Sequence, residues 1–284
     1  MVKGRIDIGE GTIIALVIFI LIAIFVRGRG PEALIIAMLS VATFLFGIFG
    51  AFVMQNRHKR LDELRSTMRK DDANYVALYK LSSVFGEKIQ AKLQKLIDDY
   101  FMATIDYSLN DYHKSAPAFL KLYDFILSLK PKTAEQKEAY DKLLGILNSA
   151  NESRKYTEFL VKNTMFGFKW LTLVGLLAVI LFSVFYINNG SIPSIIITVL
   201  LATASVMLLL LIRDLDSLYW KEQKWMWDPL QQVFTEMDLL PYYADDIIKT
   251  GRVKLEKGAK VRIAHYPHPY PDISGKTVKT VVIK

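Results

Sequence analysis

Long apolar runs dominate the hydropathy pattern of this chain, and four of them approach the length of a membrane span. They cover residues 13–26, 33–54, 165–187 and 192–212. Crossing a bilayer takes roughly 20 residues of helix, so the last three runs are long enough and the first is short. No ionisable side chain lies deep within any of them, which argues against a proton relay. The pattern predicts an all-α membrane protein with four transmembrane helices.

The first run has a second interpretation, because Lys3 and Arg5 precede it as they would precede the apolar core of a signal peptide. However, no cleavage site of the small-x-small type follows Val26. The next residues are Arg-Gly-Arg-Gly-Pro, a tight polar turn whose Pro31 suits the start of a helix. We therefore expect an uncleaved hairpin in residues 1–55 and a second hairpin in residues 165–213.

Between the hairpins, residues 56–164 have the pattern of amphipathic helices. Neither Gly nor Pro follows the second apolar run, so its helix is expected to continue to about residue 65. Apolar positions recur every three or four residues in 119–129, which predicts a helix from Ser115 to just before Pro131. Thr133 and Gln136 fit a capping box for the next helix. This region is expected to form a domain of four or five packed helices.

Residues 214–250 are helical in pattern and carry a cluster of aromatic side chains. Its members are Tyr219, Trp220, Trp225 and Trp227. Such side chains are common at the membrane interface, and a contact between subunits is the alternative.

The remaining segment, residues 251–284, changes to an alternating pattern. A β-hairpin is predicted, with strands around 253–255 and 261–263 joined through residues 256–259. A last strand is expected at 278–283. The segment resembles part of a small SH3-like barrel.

Charge predicts the orientation of the four spans. The chain has 284 residues, of which 52% are hydrophobic and 23% charged, and its formal net charge is +8. Four spans place both termini and the 56–164 domain on one side, where most basic residues beside the membrane lie, against Arg27 and Arg29 opposite. The positive-inside rule therefore predicts a multi-pass protein of the inner (plasma) membrane with cytoplasmic termini.

Several kinds of chemistry are excluded or disfavoured by the sequence. With no cysteine, the chain forms no disulfide, thiolate metal site or Cys nucleophile. Ser274–Thr277 imitates a P-loop, but Tyr270 stands where that motif needs glycine. His265 and His268, with Asp272 nearby, could bind a metal, although packing of the loop is the favoured interpretation. No cofactor, metal or enzymatic activity is expected.

Two pairs of neighbouring carboxylates, Asp98–Asp99 and Asp245–Asp246, resemble acid–base pairs. Both fall on amphipathic segments. We interpret them as solvated helix faces.

The second apolar run carries a row of bulky residues at a spacing of four, Phe44, Ile48 and Phe52, which stack on one side of a helix. Gly47 and Gly50 would let a neighbouring backbone approach. The row could face lipid, or it could line a hydrophobic constriction that gates by dewetting.

Basic residues follow where this helix leaves the membrane, namely Arg57, Lys59, Arg60 and Arg65. The acidic residues at 62–63 partly offset their positive charge. They could act as the positive-inside anchor at the lipid headgroups. Alternatively, copies arranged around an axis could form an electropositive vestibule that concentrates anions.

Three short stretches add to this layout. They read Ala-Leu-Tyr-Lys-Leu at 77–81, Leu-Ile-Asp-Asp-Tyr at 96–100 and Arg-Asp-Leu-Asp at 213–216. Together with the two hairpins and the helical middle, they resemble the bestrophin-like membrane proteins of prokaryotes, distant relatives of the bestrophin chloride channels.

The resemblance implies a homo-oligomer, five-fold in the bestrophins, whose second membrane helix lines an anion pathway. The positions that could match the bestrophin neck are Phe44, Ile48 and Phe52. The calcium clasp of the animal channels is an acidic run, whereas only Asp214 and Asp216 are present here, so calcium gating is not implied.

The sequence therefore predicts an oligomeric channel that passively conducts small anions. The competing hypothesis is a non-conducting anchor whose helical domain and C-terminal segment recruit a cytoplasmic protein. Binding of nucleic acid ranks third, because the basic residues lie beside the membrane and are not interleaved with aromatic ones.

Overall fold

The computed structural model describes residues 6–218, 224–249, 253 and 255–283, with the backbone alone for 224–229. The chain folds into two compact units. The apolar unit comprises Val2–Leu61 and Thr164–Trp220, and the helical unit comprises Asp62–Asn163 and Lys221–Lys284. The predicted aromatic cluster at 219–227 lies outside the described side chains.

Within the part of the chain that the structure describes, four helices are long and apolar enough to cross a membrane. They include α1 (Ile8–Phe25), α2 (Ala33–Ser82), α6 (Gly167–Ile187) and α7 (Ile192–Asp216). Each contains all or nearly all of one predicted run. Helix α1 begins earlier than predicted because the Asp7 carbonyl accepts from the Gly11 amide, which starts the helix before its apolar part.

The core of the apolar unit forms where the inner faces of these helices meet, and α1 packs along α7. Buried residues such as Phe19, Phe46 and Leu173 fill it. At one end, the two hairpin loops bond to each other, since the Gly28 amide donates to the Asn188 carbonyl at 2.8 Å. A Cβ at Gly28 would lie 2.1 Å from the Tyr186 carbonyl oxygen, so glycine is required there.

Helix α2 is one uninterrupted helix of 50 residues. The prediction that it continues past the apolar run is confirmed, because no helix breaker occurs before its end. A 3-10 turn (Ser83–Phe85) and Gly86, with φ of 94°, then end it. That backbone angle lies in the left-handed region that glycine adopts without strain.

The helical unit contains α3 (Glu87–Asp106), a 3-10 helix (Leu109–Ser115), α4 (Ala116–Leu127) and α5 (Ala134–Lys162). The predicted apolar stripe on α4 is confirmed as core. Its most deeply buried members are Phe119, Leu122 and Ile126.

The capping box predicted before α5 is half present. The Thr133 hydroxyl accepts from the Gln136 amide at 3.1 Å, as expected. The Gln136 side chain instead accepts from the amide of Lys132, one residue before the predicted donor.

The C-terminal part of the helical unit begins with α8 (Lys224–Glu236), β1 (Tyr242–Ala244) and α9 (Asp245–Lys249). Two more strands follow, β2 (Lys260–His265) and β3 (Thr277–Val282). Among the described residues, these strands form a sheet of order β1-β2-β3, parallel between β1 and β2 and antiparallel between β2 and β3.

The predicted last strand is confirmed, and so is the predicted strand around 261–263, which lies in β2. The predicted β-hairpin is wrong, because its first strand is not formed. In the described part of the chain, residues 253 and 255–256 belong to no strand. The turn at Gly258 brings β2 beside the end of the chain, where the Gly258 amide donates to the Ile283 carbonyl at 2.8 Å. Val253, one of the apolar residues on which the first strand of that hairpin was predicted, packs against the helical core instead. The SH3-like resemblance stays a prediction.

Candidate functional site

The outward face of α2 holds the row predicted from the sequence. Phe44, Ile48 and Phe52 are 66%, 44% and 63% exposed. The opposite face of the same helix is buried in the apolar unit and includes Phe46 and Val53. Spacing by four therefore separates a face that packs within the subunit from a bulky apolar face that is left open.

The two glycines of α2 point in different directions. A Cβ at Gly50 would lie 3.5 Å from Leu208 and 4.0 Å from Ile212, both on α7. A Cβ at Gly47 would meet nothing within 4 Å. Gly50 thus faces a helix of its own subunit, whereas Gly47 lies on open surface.

Two of the four basic residues are buried where the apolar part of α2 ends. The Arg57 guanidinium donates to the Asp216 carboxylate at 3.1 Å, and that of Arg60 donates to the Asp216 carbonyl at 2.7 Å. The same carboxylate accepts from the Met165 amide at 2.8 Å. Burial and the nearby charge of Arg57 lower the pKa of Arg60 to about 10, so it stays charged at neutral pH. These arginines hold elements of one subunit together.

The other two basic residues are more accessible. Lys59 is exposed, and Arg65 is half-buried with its guanidinium 3.6 Å from the Asp62 carboxylate. The exposed charge of the predicted set is therefore carried mainly by Lys59.

The role of Asp216 was not predicted from the sequence. Asp214 and Asp216 follow the last apolar run, and Arg57 and Arg60 follow the second. Opposite charges just beyond two apolar runs were the feature of the sequence from which this pairing could have been predicted. Asp214 is buried as well and binds the Arg213 guanidinium at 2.7 Å.

The interpretation of Asp98 as part of a solvated face is wrong. Its carboxylate binds both terminal nitrogens of Arg262 on β2, at 2.7 and 2.8 Å. The Arg262 guanidinium also lies 5.0 Å from the ring centre of Phe234, so it is partly buried between α3 and α8. Asp99, the other member of the pair, is exposed as expected.

The second pair behaves in the same way. Asp245 is buried, and its carboxylate lies 2.7 Å from His265 Nδ1 and 2.7 Å from Lys249 Nζ. Asp246 is exposed. His265 therefore has a carboxylate partner, and no group of three potential metal ligands occurs within the described residues.

Asp106, at the end of α3, accepts from three side chains of the C-terminal part. The hydroxyls of Tyr242 and Tyr266 each donate at 2.6 Å, and Lys276 Nζ donates to the second carboxylate oxygen. Burial and the charge of Asp106 raise the pKa of both tyrosines. Lys276 of the P-loop-like motif therefore serves to attach the sheet to α3.

These features define a class of protein: a membrane protein with four apolar helices, an open apolar face on the second, and a separate helical unit. A family model described as the bestrophin-like domain matches residues 12–219. The chain belongs to the bestrophin-like family, and the resemblance seen in the sequence is confirmed. This family is one of membrane anion channels rather than enzymes.

The match begins within α1, includes the other three apolar helices and ends before β1, so the sheet lies outside it. Among curated proteins and among solved structures, nothing matches the chain.

Proposed function

We propose that this chain forms an oligomeric channel in the inner (plasma) membrane that passively conducts small anions. Phe44, Ile48 and Phe52 line a hydrophobic neck where copies of α2 surround a common axis. Five copies, as the resemblance to the bestrophins implies, form the assembly. Both termini and the helical unit are cytoplasmic, in agreement with the Lys/Arg bias.

The observation that carries this proposal is the open face of α2 in a protein of an anion-channel family. A helix without charge in the bilayer provides a path for ions only if several copies enclose it. Bulky apolar side chains one turn apart then narrow the path, and they control it by excluding or admitting water. Gly47, on the same open surface, allows a neighbouring helix to approach.

Lys59 supports anion preference. It is exposed just beyond the apolar part of α2, so several copies would raise the local concentration of anions at one mouth of the path. Arg57 and Arg60 contribute from buried positions beside Asp216.

Halide flux in proteoliposomes tests the neck. Phe52→Ala, with Phe44→Ala beside it, is expected to raise flux severalfold because smaller side chains widen the constriction and hold water more readily. Phe182→Ala on α6 is the matched control, since Phe182 is also apolar and 56% exposed. It is expected to leave flux unchanged.

Three results would contradict the proposal. The first is absence of flux from wild type and variants in well-folded oligomers, the second is an equal rise for Phe182→Ala, and the third is a monomeric mass in detergent.

The second candidate function is a non-conducting anchor that recruits a cytoplasmic protein. The observation that favours it is β3, an edge strand in which all six residues are exposed. An unpaired strand edge can accept a strand from another protein. Oligomers that fold well but carry no flux would favour this function.

A further inference from the structure

The hairpin loop between α1 and α2 carries two arginines that the neck does not use. The loop reads Arg-Gly-Arg-Gly-Pro and lies where α2 begins. Arg27 and Arg29 are exposed, whereas Gly28 is half-buried and Gly30 is buried. A tight turn requires only the glycines and the proline, so the two positive charges serve another purpose.

Backbone hydrogen bonds fix this loop against the second hairpin loop. The Gly28 amide donates to the Asn188 carbonyl at 2.8 Å, and the Gly30 amide donates to the Tyr186 carbonyl at 3.2 Å. The Asn188 side chain is fully buried and donates to the Ala23 carbonyl at 2.8 Å. The two arginines are therefore presented from a backbone that is held in place.

The Arg27 side chain lies across the second loop. A Cβ at Gly190 would lie 3.5 Å from Arg27 Nε and 3.7 Å from its Cδ, so the stem of the arginine rests on the Gly190 backbone. Among the residues that the structure describes, Arg27 forms no ion pair. Packing sets its position, and its charge is free to attract a mobile ion.

Arg29 differs from Arg27 because a carboxylate lies beside it. The Tyr186 hydroxyl donates to the Glu32 carboxylate at 2.7 Å and accepts from Arg29. Arg29 and Glu32 thus meet at one hydroxyl and largely offset each other's charge. Of the charges in the two hairpin loops at this end of the apolar unit, the one that remains is that of Arg27.

We propose, on the basis of the proposed function, that Arg27 sets the anion preference of the channel at the mouth where α2 begins. Copies of α2 around a common axis place a ring of Arg27 side chains at this mouth, because Arg27 lies only six residues before Ala33, the first residue of α2. Rings of Lys or Arg attract anions and repel cations. Lys59 lies beyond the other end of the apolar part of α2, so both mouths carry positive charge.

Salt should weaken this effect, because Arg27 is exposed and acts on passing ions through space. The Debye length is about 10 Å in 0.1 M salt and about 3 Å in 1 M salt. The contribution of Arg27 is therefore large in dilute salt and small in concentrated salt. A residue that merely stabilised the loop would show no such dependence.

The ratio of chloride to sodium permeability, obtained from reversal potentials in planar bilayers of phosphatidylcholine, tests the role of Arg27. Arg27→Gln is expected to lower the ratio roughly threefold in about 0.05 M salt and to change it little in about 1 M salt. Arg27→Lys keeps the charge and should keep the wild-type ratio. Glu32→Gln removes a negative charge from the same mouth and should raise the ratio.

Lys142→Gln is the matched control, because it removes the same charge from an exposed residue of the helical unit. It should leave the permeability ratio unchanged. A wild-type protein that carries no current would contradict the proposed function as well, whereas wild-type current with an unchanged ratio in Arg27→Gln would overturn the role of Arg27 alone. An equal fall at both salt concentrations would also overturn it, as would a fall that occurs only when the bilayer contains phosphatidylglycerol, since Arg27 would then bind lipid headgroups.

Discussion

Tyr242 and Tyr156 each donate a hydrogen bond to a carboxylate, but they differ in burial. Tyr242 is fully buried and donates to Asp106 at 2.6 Å, whereas Tyr156 is 43% exposed and donates to Glu63 at 3.0 Å. Water can replace the exposed bond but not the buried one. Tyr242→Phe is therefore expected to lower the free energy of unfolding by about 2 kcal/mol. Tyr156→Phe should leave it nearly unchanged, and chemical denaturation measures both; equal losses would contradict this.

Asp216 is expected to stabilise the apolar unit through its charge. Asp216→Asn keeps the shape of the side chain but leaves Arg57 and Arg60 buried beside an uncharged group. Breaking a buried pair in this way costs about 3 kcal/mol, which a clear fall in Tm in detergent would report. Asp62→Asn is the control, because the Asp62 side chain, which pairs with Arg65, is exposed. A similar fall for the control would indicate that the buried charge is unimportant.

Single acidic residues were the hardest to interpret from sequence. Asp99 and Asp246 are exposed as predicted, whereas Asp98 and Asp245 are not. The partner of Asp98 is Arg262, 164 residues further along the chain. Local periodicity assigns a residue to a helix face, but it contains no information about which distant element covers that face.

Helices were predictable because their signals are local. Long apolar runs identify α1, α2, α6 and α7, and the absence of a breaker predicts the extension of α2. Strand pairing is not local. The alternation in β2 indicates a strand but does not identify its partners. One partner, β1, lies earlier in the chain, and the other, β3, follows a long loop. Val253, which is nearer in sequence, packs against the helical core instead.

Substitution of the two glycines of α2 distinguishes contacts within a subunit from contacts between subunits. Gly50→Leu should overpack Leu208 and Ile212 and destabilise the folded chain by about 2 kcal/mol. Gly47→Leu should leave subunit folding intact, because nothing lies within 4 Å. It should weaken the oligomer if a neighbouring α2 packs there. Tm and the mass in detergent distinguish these effects; a large loss of Tm for Gly47→Leu alone would contradict the assignment.

On the scale of the whole molecule, the C-terminal sheet is part of the core of the helical unit. Ala264 of β2 is fully buried together with residues of α3 and α4. Removal of residues 250–284 should therefore expose apolar surface and lower Tm by several degrees, with aggregation on heating. Val281→Thr on β3 is the control, because Val281 is exposed. An unchanged Tm after truncation would show that the sheet is an independent appendage.

The ion pair between Asp98 and Arg262 joins the matched family region to a segment beyond it. A homologous chain that lost the strands after residue 219 would retain Asp98 and Asp106 without the Arg262 and Lys276 side chains that pair with them. Natural selection would then replace them with neutral residues. Across an alignment of relatives, these aspartates and Arg262 should therefore be gained and lost together, a covariation that would record when in evolution the sheet was acquired.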